Sequence, residues 1–287
     1  MKLTDYSYNK YSQFGEDGII DKIFDIIKPG SKVCVEFGAW DGIHCSNTAN
    51  LWRNGWKGIL IEGDAKRFAQ LVKNAQPFDC MAVCRYVGIS GGDTLENILK
   101  EKKTDPDIDL LSIDIDGDDY HIIASLSSMR PRVIICEYNH TVPYWLDIYQ
   151  KPGEYFGASV SALIRVAKEK DYQLVSITDG SCIFVTGPEY KKFEAFNTNL
   201  NDIANNNYLN FIITNYSGQY LLHGRFPFGI NNKYTTSYLA GSSAVNSFKP
   251  DLSVCDTGSL KGVLRSLYHG IIKPVFNKQR GVSSNKK

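Results

Sequence analysis

Net charge, long apolar runs and spaced metal ligands are all scarce in this sequence. The 32 Lys and Arg nearly cancel the 31 Asp and Glu, leaving a formal net charge of +1. No whole-chain field therefore draws the protein to nucleic acid or to an anionic membrane. No apolar run approaches the ~20 residues needed to span a bilayer. Met1–Lys10 is polar and Tyr-rich, without the apolar centre of a secretory signal, so a cytoplasmic protein is expected. The cysteines number 7 but lack zinc-ligand spacing. Cys34, Cys136 and Cys182 sit inside apolar runs, and Cys80 with Cys84 has no second pair or histidine to complete a site. They read as reduced thiols. The three-glycine dinucleotide fingerprint and the Gly-Lys-Ser/Thr phosphate loop are both missing, and there is no internal repeat. What remains is a chain of 287 residues, 43% hydrophobic, enough for one large domain or one domain with an appendage.

The chain is organised around Val33–Gly42. Val33–Phe37 reads as a buried strand that breaks into Gly38, Asp41 and Gly42, where the backbone must turn tightly. Ser46-Asn47-Thr48 then offers cap chemistry for a helix. A strand, a glycine turn and a helix build a ligand crevice at the carboxyl edge of an α/β sheet. Acidic side chains there, Glu36 and Asp41, would repel a phosphate and attract an amine or sulfonium. A second strand, Gly58–Ile61, ends in Glu62-Gly63-Asp64, and an acid at that position can accept hydrogen bonds from both hydroxyls of a ribose. Sulfonium and ribose together point to S-adenosylmethionine (SAM). The candidate contacts are Glu36, Gly38, Ala39, Asp41, Gly42, Asn47, Glu62 and Gly63.

These stretches, with Tyr11-Ser12-Gln13-Phe14-Gly15-Glu16-Asp17 before them and Gly55-Trp56-Lys57-Gly58-Ile59-Leu60-Ile61-Glu62 after, resemble the FkbM family of SAM-dependent O-methyltransferases. The resemblance runs from about Tyr11 to Val185. It implies a Rossmann-like class I SAM methyltransferase sheet with a C-terminal antiparallel hairpin. It also implies methyl transfer to a hydroxyl, often on a sugar or natural product, and a role for Gln13 in closing the SAM site.

The catalytic candidates lie farther on. Ile108–Asp119 reads as a strand that turns densely acidic, and strand alternation would put Asp114 and Asp116 on one face. Val133–Cys136 is another strand, followed by Glu137, Tyr138, Asn139 and His140. In the resembled family these two strand ends flank the methyl group, and Asp114 and Glu137 occupy typical acidic positions. Two mechanisms are compatible with the residues. Asp114 or Asp116 with Glu137 and Asn139 would hold Mg²⁺, a hard cation suited to oxygen donors, which acidifies the acceptor hydroxyl. Alternatively His140 or an aspartate acts as general base without a metal. A rival reading takes Asp114-Ile115-Asp116-Gly117-Asp118 as the acidic loop of a haloacid-dehalogenase-type phosphatase. Another takes the protein as a non-catalytic SAM-fold binder.

Thr141–Gly157, with Tyr144, Trp145, Tyr149, Tyr155 and Phe156, is the candidate loop for a sugar or nucleotide-sugar acceptor. Asp93-Thr94-Leu95-Glu96 has capping-box spacing for a helix to about Lys102. Ser159–Lys170 has amphipathic helical spacing, and Asp179-Gly180 marks a hairpin. The expected organisation is a methyltransferase domain over residues 1–190 and an extension over 191–287. The extension could cap the acceptor site, form a homodimer contact or wrap the sheet. Within it, His223 and Arg225 stand in a Gly-flanked stretch, and residues 261–287 form a basic, partly amphipathic tail.

Overall fold

A computed structural model describes residues 1–103, 107–214, 216 and 220–224. Arg225, the basic tail and Cys255 lie outside the described residues. The chain divides into two units, Met1–Asn205 and Asn206–Lys287. The first therefore continues past residue 190, through a buried Phe193 that joins the core.

The first unit runs α1 (Glu16–Ile27), β1 (Val33–Phe37), α2 (Ala49–Trp52), β2 (Lys57–Glu62), α3 (Ala65–Ala75), β3 (Cys80–Cys84), α4 (Leu95–Glu101), β4 (Leu110–Ile113), α5 (Asp119–Ser125), β5 (Val133–Glu137), α6 (Val160–Glu169), β6 (Tyr172–Ile177) and β7 (Ser181–Thr186). The strands form one sheet in the order β3-β2-β1-β4-β5-β7-β6. β1 to β5 are parallel, and β7 runs antiparallel to both β5 and β6. This is the Rossmann-like α/β sheet with a closing hairpin that the resemblance implies. The reversal of strand order at β1 and β4 opens a crevice beyond their carboxyl ends.

Alternation along buried strands divides the core into two layers. Val35, Phe37, Ile59, Ile61, Leu111 and Ile113 face one layer with residues of α4, α5 and α6. Cys34, Leu60, Leu110, Val133 and Ile135 face the other, with Ile19, Ile20 and Ile23 of α1. Covered on both faces, the central strands read as near-continuous apolar runs.

A staple closes the amino edge of the sheet. Asp109, fully buried just before β4, accepts from the amides of Gly30 and Lys32 and from Arg132 Nη1 at 2.7 Å. Arg132 also donates to the carbonyls of Ile27 and Lys28 and to Glu189. α1, β4, β5 and the helical turn α7 (Gly187–Tyr190) are thereby tied together.

Two local expectations need correction. The capping box at Asp93–Glu96 does not form. Thr94 caps α4 by accepting from the Asn97 amide, while Glu96 turns away to the amides of Ser127, Ser128 and Met129. The hairpin marked by Asp179-Gly180 does form, through the three-residue turn Thr178–Gly180 between β6 and β7. Strand β4 stops at Ile113, so Asp114 and Asp116 do not alternate on a strand. Asp116 instead takes φ 58° in a turn. The six described cysteines are free. No described helix is long and apolar enough to cross a membrane. In the second unit, β8 (Asn210–Thr214) and β9 (Tyr220–Gly224), which includes His223, form an antiparallel pair.

Candidate active site

The tips of β1, β2, β4 and β5 converge on the crevice. Gly38, directly after β1, has φ 71°, and a Cβ there would overlap the carbonyl oxygen of Asp114. Only glycine permits this close crossing, which joins the first turn to the acidic edge. Gly42, with φ 78°, completes the turn, and the Ala39 amide donates to the Ile61 carbonyl.

The acids of this turn organise their own loop. Glu36 is buried on the α2 side of β1, where it accepts from Ser46 Oγ at 2.6 Å, the Asn47 amide at 2.8 Å and Thr48 Oγ1 at 2.8 Å. Burial raises its pKa, and these donors oppose the rise. Asn47 in turn donates to Ser112 on β4. Asp41 accepts from the amides of Ile43 and His44 and sits 2.6 Å from His44 Nδ1. Both carboxylates are therefore engaged by neighbours.

Glu62, buried at the tip of β2, accepts from the Trp40 amide at 2.8 Å and the Asp64 amide at 2.7 Å. Each oxygen keeps a lone pair. Gly63 beside it is covered by the Tyr86 ring. Gln13 is exposed in the segment leading to α1. Glu16 anchors that segment to the β6–β7 turn through Thr178 Oγ1 at 2.6 Å.

The acidic edge holds the most concentrated charge. Carboxylate oxygens of Asp114, Asp116 and Glu137 lie within 4.8 Å of one another. Two full charges at 4.8 Å repel by about 3.5 kcal/mol at an effective dielectric of about 20. Asp114 is crowded by protein although solvent reaches it. Burial first, then the charges of Asp119 and Asp116, raise its pKa. Burial and the charge of Asp114 likewise raise Glu137, and the two carboxyls stand within hydrogen-bond reach. The arrangement favours a bound cation or a shared proton.

The remaining polar residues divide the labour in a way composition does not reveal. Asp119 accepts from the amides of Ile115 and Gly117, which folds the turn that carries Asp116. Burial pushes it up to about 6 against those hydrogen bonds. Asp118 accepts from Gln150 Nε2 and the Gly153 amide. Asn139 accepts from Thr141 and donates to the Phe156 carbonyl, so its amide supports the loop beyond β5. His140 is half-buried with its ring 6.4 Å from Tyr138, and burial lowers its pKa. His121 binds the Gln150 carbonyl at 2.9 Å and packs against Tyr149. Sequence reasoning did not single out Gln150. A lone glutamine in an aromatic loop carries no periodic or spacing signal.

The opposite edge holds a depression of about 440 Å³ lined by Tyr190, Phe193 and Phe196, remote from these carboxylates. The chemistry of the crevice, rather than cavity size, identifies the site.

The model of the methyltransferase FkbM domain matches residues 93–174, which contain β4, β5 and the whole acidic edge. No curated protein matches the sequence. Similar solved structures include an S-adenosylmethionine-dependent methyltransferase from Clostridium acetobutylicum, 11% identical, covering 60% of this chain and 90% of its own, with a TM-score of 0.39. A TehB-like SAM-dependent methyltransferase from Corynebacterium glutamicum is 10% identical, covering 60% and 88%, with a TM-score of 0.38. Magnesium protoporphyrin IX methyltransferase from Synechocystis with bound SAH is 12% identical, covering 63% and 90%, with a TM-score of 0.38. The match over residues 93–174 makes this stretch, which carries the acidic edge described above, similar to the methyltransferase FkbM domain.

Proposed function

We propose that the protein transfers a methyl group from SAM to a hydroxyl of a carbohydrate, with nucleotide-linked sugars as the acceptor class. The observation that carries this reading is the grouping of Asp114, Asp116 and Glu137 within 4.8 Å at the tips of β4 and β5, directly across the Gly38 crossing from β1. The crevice suits the cofactor. Gly38 brings bare backbone to its floor, and Glu62 retains acceptor capacity for a ribose. Gly38, Ala39, Gly63 and Glu62 would hold SAM, with Gln13 at the rim. Glu36, Asp41, Gly42 and Asn47 would shape the turn. SAM supplies an activated methyl whose leaving group is a neutral thioether.

The chain supplies position and a destination for the proton. A sugar hydroxyl is a poor acid, so its proton must leave as the methyl arrives. Asp114 or His140 serves as that acceptor, and Glu137, kept protonated by burial and the charge of Asp114, donates a hydrogen bond to Asp114. The same three carboxylates would hold Mg²⁺, which would lower the pKa of the hydroxyl. Surface-polysaccharide biosynthesis in a bacterial cytoplasm is the setting the resemblance supports.

The test has two stages. Calorimetry should detect SAM and S-adenosylhomocysteine on the purified chain. Nucleotide sugars should then release S-adenosylhomocysteine from SAM, measured with and without EDTA. No association with either cofactor form refutes the reading. Undiminished turnover after exhaustive chelation removes the metal.

A further inference from the structure

The five aromatic residues of the loop after β5 do not share one task. Tyr144 packs against the core and donates to Asn201. Tyr149 stacks on Tyr120 with ring centres 4.1 Å apart, beneath Arg165, which grips Asp147 at 2.7 Å. Both are occupied in holding the loop. Tyr155 is different: it is 81% exposed, and burial first, then the nearby charge of Asp116 in the carboxylate group, raise the pKa of its hydroxyl.

The backbone that presents Tyr155 is pinned from inside. Gln150 is buried, and its Oε1 accepts from the amides of Phe156 at 2.7 Å and Gly157 at 2.6 Å. Its Nε2 donates to Asp118 at 2.8 Å and to the Glu154 carbonyl. The Gly153 amide also donates to Asp118, at 2.9 Å. A Cβ on Gly117 would come within 2.9 Å of the Glu154 carbonyl, so the loop lies directly on the acidic turn. A buried amide that satisfies four partners closes the loop on itself and fastens it beside Asp116. A backbone held that firmly costs little further ordering entropy when the exposed ring it presents takes up a ligand.

We propose that Tyr155 is the acceptor-specificity residue, binding a polyhydroxylated ring by stacking on its C–H face, and that Gln150, anchored on Asp118, is the positioning residue that sets it over the carboxylates. This rests on the methyltransferase reading above and names the part of that site which selects the substrate. Aromatic faces suit sugar C–H faces, and the neighbouring carboxylates accept from hydroxyls. The role asked of Gln150 is geometric, since its side chain points into the loop and not toward a reacting atom.

Saturation-transfer NMR with UDP-glucose, UDP-galactose, GDP-mannose and dTDP-rhamnose tests this, alongside calorimetry with SAM. Wild type should receive saturation transfer on the ring protons of at least one sugar. Tyr155→Ala, a surface change that leaves the core alone, should lose that signal and raise the KM for that sugar tenfold or more. Its SAM affinity should stay within twofold. Tyr155→Phe should keep the signal. Gln150→Ala should raise KM at least fivefold, lower kcat less, and speed proteolysis between residues 151 and 156. Sugar binding that is equal in wild type and Tyr155→Ala overturns the proposal, as does SAM binding with no sugar contacted at all. Absence of SAM binding is a separate outcome that overturns the methyltransferase reading and this proposal with it.

Discussion

Arg132→Met removes the cation from the staple at the amino edge while keeping the length of the side chain. The guanidinium spans Asp109 at 2.7 Å, Glu189 at 2.5 Å and the carbonyls of Lys28 and Ile27 at 2.7 and 3.0 Å. Glu189 retains Lys192 at 2.6 Å and is partly solvated, so it loses little. Asp109 has no solvent and no second cation among the described residues, only the amides of Gly30 and Lys32. Breaking one side of a buried pair costs about 3–5 kcal/mol, and the surviving amide bonds favour the lower end, about 3 kcal/mol. At roughly 2–4 °C per kcal/mol for a domain of this class, melting should fall by about 6–12 °C. Urea unfolding followed by circular dichroism measures this. Asp109→Asn combined with Arg132→Met should cost clearly less than the sum of the single changes, because the partners share one interaction. Methyl transfer per folded molecule at low temperature should be unchanged, since the staple sits at the amino ends of the strands and the carboxylates at the other ends. A loss under about 1 kcal/mol, or strict additivity in the double variant, contradicts the argument.

Other predictions concern the site and its supports. Asp114→Asn and His140→Ala should each reduce turnover by at least tenfold with an unchanged far-ultraviolet spectrum; a wild-type rate in either variant excludes that residue as proton acceptor. Gly38→Ala must push β1 away from Asp114 and adopt a left-handed backbone, so SAM affinity should fall at least tenfold. Calorimetry giving a wild-type dissociation constant would sink that account. Glu96 is held down to about 2: burial, which would raise it, is outweighed by donation from the Ser127 hydroxyl and the amides of Met129, Ser127 and Ser128. Its folded pKa lies below its unfolded one, so the stability it contributes is present above pH 4.5 and disappears as pH falls toward about 2. Glu96→Gln should be less stable than wild type at pH 7, with the difference vanishing by about pH 2; parallel acid-denaturation curves would refute this.

Continuous apolar runs were sufficient to place the parallel strands, because a strand buried on both faces is apolar over four to six residues whatever surrounds it. Val33–Phe37 and Val133–Cys136 were legible for that reason, as was α1 from the helical spacing of Ile19, Ile20, Ile23 and Ile27. The capping box misled because Glu96 had a better set of donors in Ser127–Met129, distant in sequence and unknowable without the packing of α4 on the turn after α5.

Local chemistry alone determined that an α/β sheet carries acids at its strand ends, since residue type and spacing are enough to end a strand and begin a turn. Only the tertiary structure decided which acids face the crevice. Glu36 and Asp41 look equivalent to Asp114 and Glu137 in the sequence, but three-dimensional neighbours satisfy the first pair and crowd the second. Asp41 finds its donors two and three residues on and Glu36 in the next loop, whereas Asp114 and Glu137 stand at the ends of two strands that meet only when the chain folds.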